Sequence, residues 1–128
     1  MQTAQTLEGR LANLTRRYLD AVPDRIASIA ETLTHCRRES SESVSLLEQQ
    51  FHTLAGTAGT YGLLAVSAVA AEAEETCAAI DGQPIDDETF TYLRFLVDHL
   101  RALTGNLNRP FTLIAGGNAG AQSGDAVA

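Results

Sequence analysis

The sequence predicts an all-α fold, an antiparallel four-helix bundle with an additional N-terminal helix. Two observations carry this expectation. Apolar residues make up 45% of the 128-residue chain and are dominated by Ala and Leu, with no Trp and only three Pro, a composition that favours helix over strand. They recur at three- and four-residue spacing in consecutive segments joined by short polar or Gly/Pro breaks, as in a bundle of amphipathic helices.

Each helix has its own signature. Residues 6–19 align Leu7, Leu11, Leu14 and Tyr18 in one stripe. Pro23 suits the first turn of a second helix, where a missing N–H is harmless, and Asp24 is favoured beside it at the positive dipole end. The stripe of that second helix runs Ile26, Ile29, Ala30 and Leu33 and ends near Arg37. After the polar break Glu39-Ser40-Ser41-Glu42-Ser43, a third helix over 43–60 turns Leu47, Phe51, Leu54 and Ala58 inward. A fourth, over 63–80, has Val66, Val69, Ala73, Cys77 and Ile80 as its inner face. Asp81-Gly82-Gln83-Pro84 is a stop and turn. Asp86, Asp87 and Glu88 then open a fifth helix with the stripe Phe90, Leu93, Val97, Leu100 and Leu103, closed near Gly105. Residues 1–104 therefore form the expected domain. Residues 105–128, with Gly116-Gly117-Asn118-Ala119-Gly120 at their centre, read as a flexible Gly/Ala-rich tail or linker, too poor in apolar surface to offset the entropy of ordering.

Bulk charge narrows the function. The chain carries a net −7, and all nine basic residues are arginine. Without a basic block it is a poor nucleic-acid binder, since phosphate neutralisation dominates that affinity. No apolar run approaches the roughly 18–20 residues of a membrane span, and no leader-like segment opens the chain. The expectation is a cytoplasmic, monomeric protein with no membrane association. Cys36 and Cys77 lack a CxxC spacing and read as buried small hydrophobes. With His35 and His99 they form no compact zinc pattern, so no metal site is expected. The glycine-rich segments lack the Gly-Lys-Ser/Thr of a P-loop, and no nucleophile–base arrangement of an enzyme stands out.

The informative run is Phe51-His52-Thr53-Leu54-Ala55-Gly56-Thr57-Ala58-Gly59-Thr60-Tyr61-Gly62. Each glycine costs about 1 kcal/mol relative to alanine inside a helix, so glycines at +4 and +7 from a histidine need a compensating reason. At 100° per residue, the stripe Leu47, Phe51, Leu54 and Ala58 occupies a narrow sector and His52 lies roughly 130° from its centre. The imidazole therefore faces outward, and Ala55, Gly56 and Gly59 leave bare backbone beside it on which something large can dock.

This run resembles the histidine-containing phosphotransfer (HPt) domain family of two-component phosphorelays. The family pattern His-x-Leu-Lys-Gly, followed by small residues and a further Gly, stands here as His52-Thr53-Leu54-Ala55-Gly56 and then Gly59. The resemblance covers roughly residues 10–104. It implies a phosphocarrier without kinase activity of its own. His52 would be the phosphoacceptor, receiving the group from a receiver aspartate or a histidine kinase and passing it to a response-regulator receiver. No cofactor of its own is implied; Mg²⁺ is expected on the partner receiver domain. Gly56 and Gly59 would give access to the phosphoryl group. Glu74 falls where the family can place a carboxylate that accepts Nδ1–H and frees Nε2, though it also reads as a solvated glutamate beside Glu72 and Glu75. Gln49, one turn before His52, can hydrogen-bond the phosphoryl group or simply be surface. Tyr61, Leu63 and Leu64 are the candidate partner contacts. The departure is Ala55, at the position usually held by lysine. Three answers are open: an arginine from elsewhere replaces that charge, the partner and its metal suffice, or transfer is slow. The rival function is an HPt-like docking module that binds or sequesters a receiver without transferring phosphate.

Overall fold

The computed structural model describes residues 6–36, 41–80, 83–105 and 107. Almost all of the expected 105–128 tail, including 111–114, lies outside the described residues. Among the described residues four helices follow one another: α1 (Leu7–Cys36), α2 (Ser41–Thr60), α3 (Leu64–Ile80) and α4 (Asp87–Thr104). Each packs against two neighbours, α1 and α3 both lying between α2 and α4, and the α2–α3 contact is the most extensive. The result is a four-cornered bundle around one core. None of these helices is long and apolar enough to cross a membrane.

The additional N-terminal helix is corrected. The two segments expected on either side of Pro23 are one 30-residue helix with the proline inside it. An interior proline costs about 3 kcal/mol. Opposing it is an unbroken buried face, Tyr18, Val22, Ile26, Ile29, Leu33 and Cys36, spaced by three and four across the proline. Fully burying each large aliphatic side chain contributes about 1.5–3 kcal/mol, so keeping both halves on one axis outweighs the broken hydrogen bond. The stripe of the first half does lie on one helix, but only Tyr18 of it is buried: Leu7, Leu11 and Leu14 are exposed. The Tyr18 hydroxyl hydrogen-bonds Thr57 Oγ1 at 2.9 Å, so Tyr18 already stands level with the last turn of α2. The α1 turns before it overhang that helix end.

The other helices keep their predicted faces with small shifts. Leu47, Phe51, Leu54 and Ala58 of α2 and Leu93, Val97 and Leu100 of α4 are buried. On α3 the buried set is Val66, Ala70, Ala73 and Cys77, while Val69 and Ile80 are only partly buried against the core. Asp86 caps α4, its carboxylate accepting from Thr89 N–H at 2.7 Å. That bond holds the Asp86 carboxyl below its ordinary value.

Burial pushes the Cys36 thiol up to about 11 and the Cys77 thiol to about 12. Both cysteines are free. Because the thiolate is the reactive form, neither should react with iodoacetamide at pH 8 unless the chain unfolds, and both should be modified together in denaturant. Fast native labelling of either would contradict this packing. The same shifts set a pH dependence. Below the ordinary thiol value of 9.0 both states keep the proton. Between there and about 11–12 only the unfolded chain ionises, so stability falls across that window.

Candidate functional site

Buried Phe51 and Leu54 anchor the turn of α2 that carries His52, and the imidazole points away from them with 66% of its side chain exposed. Its Nδ1 lies 2.8 Å from Glu74 Oε2 on α3. An ionised carboxylate only accepts, so Nδ1 carries the proton, and in the neutral ring Nε2 then holds the lone pair. Nε2 makes no hydrogen bond to a described residue. Three glutamates lie close together on α3, and the structure separates them. Glu72 accepts from the Tyr92 hydroxyl of α4 at 2.9 Å, Glu74 takes the histidine, and Glu75 is exposed.

Register between α2 and α3 follows from small residues. Ser67 Oγ donates to the Ala55 carbonyl at 2.8 Å, and a Cβ added at Gly59 would lie 3.3 Å from that same oxygen. Gly59 therefore serves the close approach of the two helices. A Cβ at Gly56, by contrast, would meet nothing within 4 Å. The bare patch expected beside His52 is thus reduced to Gly56. Ala55 is half-buried against the core.

The end of α2 is shaped by Gly62, with φ of +83°. Leu63 N–H bonds the Ala58 carbonyl at 2.8 Å and Gly62 N–H the Gly59 carbonyl at 3.1 Å. This six-to-one and five-to-two pair closes a helix with a left-handed glycine. Of the three candidate partner contacts, Tyr61 stacks on Tyr18 with centroids 4.5 Å apart, and Leu63 is partly buried. Leu64 stands 72% exposed. Tyr61 and Leu63 therefore spend much of their surface inside the bundle.

Gln49 is exposed and lines a cleft of about 250 Å³ between α1 and α2 with Arg25, Ser28, Gln50 and Thr53. The Arg25 guanidinium lies 5.8 Å from the centroid of the Tyr18 ring. Sequence inspection passed over Arg25, although a signal existed: α2 and α3 contain no lysine or arginine at all. Among the described residues no cluster of three or more His, Cys, Asp or Glu side chains could hold a metal ion.

An exposed imidazole held through Nδ1 by a carboxylate, on the outer face of a helical bundle, is open to a partner surface rather than enclosed in a pocket. The comparison with family models agrees: residues 13–103 match the Hpt domain model, and the chain belongs to that family. Hpt domains serve histidine phosphotransfer in phosphorelays, as phosphocarriers rather than enzymes, and work with receiver domains or kinases. No curated protein and no solved structure matches the chain significantly.

Proposed function

We propose that His52 is the phosphoacceptor, taking a phosphoryl group from a receiver aspartate or a histidine kinase and passing it to a response-regulator receiver, with no kinase activity of the chain's own. The observation that carries this reading is the 2.8 Å contact of Glu74 with Nδ1 of an outward-facing ring. Nε2 attacks phosphorus in line. The P–O bond to the receiver carboxylate breaks, and its electron pair returns to that carboxylate as the N–P bond forms. No proton has to leave, because Nδ1–H stays with Glu74, whose charge also opposes the positive charge arising on the ring. Mg²⁺ belongs to the receiver in this scheme, and the histidine domain contributes position. Gly56 leaves the approach clear, and exposed Leu64 offers an apolar contact at the start of α3.

Incubation with a ³²P-phosphorylated receiver tests the proposal. The expected product is label on this chain that is acid-labile, base-stable and maps to His52. A stable complex with no label on His52 would instead establish the docking-only function.

Replacing Glu74 by alanine should slow labelling about tenfold, the loss of one hydrogen bond to a charged group at a partly exposed site, with helicity and melting nearly unchanged. An unaltered rate would reduce Glu74 to a surface residue.

A further inference from the structure

A phosphoryl group on His52 brings up to two negative charges to a site already facing Glu74, on a chain of net charge −7. Neither α2 nor α3 carries a lysine or an arginine. Any cation supplied by the described residues must come from α1 or α4. Helix α4 packs on α1 and α3 but not on α2, and its Arg94 and Arg101 line a groove with Ala30 and Leu33 of α1, away from the histidine. That leaves α1.

The register of α1 against α2 singles out one residue. Tyr18 bonds Thr57 and, further along α1, Ser28 accepts from Gln50. Interpolation between these two bonds sets Arg25 level with the turn that carries His52. Its side chain lines the α1–α2 cleft with Gln49 and Thr53, the residues three before and one after the histidine. Around α2, the surface from Thr53 to His52 turns through about 100°, an arc of about 10 Å on a helix about 10–12 Å across. Gln49, the bare Gly56 and the exposed Ser45 and Thr60 lie on that arc, and the Thr60 hydroxyl is engaged with the Gly56 carbonyl. An arginine reaching from one side and a phosphorylated imidazole from the other can close it. No carboxylate of the described residues forms an ion pair with Arg25, whose guanidinium lies over the face of Tyr18. A cation–π contact made by an exposed guanidinium is weaker than a charge-assisted, bidentate bond to phosphate, so phosphorylation favours a swing of the guanidinium across Gly56.

We infer that Arg25 of α1 binds the phosphoryl group on His52, supplying from a neighbouring helix the positive charge that α2 lacks at Ala55. The inference rests on His52 being the phosphoacceptor.

Phosphoramidate is a suitable donor, because it needs no partner protein. Nε2 attacks its phosphorus, the bond to nitrogen breaks, and ammonia departs with a proton from solvent. Arg25→Ala should label about tenfold more slowly than the native domain, while Arg94→Ala labels at the native rate. In ³¹P NMR the phosphoryl group should titrate at higher pH in Arg25→Ala, since a nearby cation favours its dianion; a purely structural loss would not move this titration. Native labelling and an unmoved titration in a folded Arg25→Ala variant would overturn the assignment of Arg25 alone. Absence of label on native His52 would overturn the phosphoacceptor reading and this assignment with it.

Discussion

His52→Gln is expected to abolish phosphoryl transfer while leaving the domain folded and able to bind its receiver. Glutamine has a similar reach and can donate to Glu74, but its amide has no nucleophilic lone pair comparable to that of Nε2. The side chain is 66% exposed, so the substitution should change stability by less than about 0.5 kcal/mol. Labelling should fall to background in an assay that still detects the complex. His35→Gln and His99→Gln are the internal controls. Both side chains are exposed, and neither substitution should affect labelling. Label that persists on His52→Gln, or that disappears with His99→Gln, would move the acceptor site elsewhere.

Phe51→Ala should be the most damaging single change to the fold. The ring has no exposed surface and sits in the common core with Leu47, Leu54, Leu93 and Leu100. Truncating a buried phenylalanine costs about 3–5 kcal/mol through lost transfer energy and the cavity left behind. A domain of this size has about 5–15 kcal/mol in total. The melting temperature should fall on the order of 20 °C, and Phe51→Leu should recover most of it. A fall of only a few degrees would show that the core around α2 repacks freely. The two expected results thus separate the neighbours: loss of stability at residue 51 and loss of labelling at residue 52.

Much of the bundle was legible because its periodicity is strong. The α2 stripe and Leu93, Val97 and Leu100 of α4 are buried, Phe90 and Leu103 are partly buried, and Asp86 caps α4 at the acidic run. The misreadings lie where local rules met long-range packing. Pro23 has every local mark of a helix start, yet the apolar face on both sides of it packs on one core and keeps α1 whole. Leu7, Leu11 and Leu14 form a proper stripe, but α1 outruns the end of α2, so the bundle does not cover them. Val69 and Ala70 exchanged roles for a related reason: α3 meets α2 through small side chains, which rotates its buried face slightly.

Residue order alone determined the outward direction of His52, since 100° per residue and a buried Phe51 leave the imidazole no other side of the helix. It also determined that neither α2 nor α3 could supply a cation. Only tertiary structure decided which of three glutamates meets the ring, which glycine is clearance and which is contact, and which arginine lines the α1–α2 cleft with Gln49 and Thr53. These are matters of register between helices distant in sequence. Register depends on how side chains interlock across an interface, and periodicity within one helix carries no record of it.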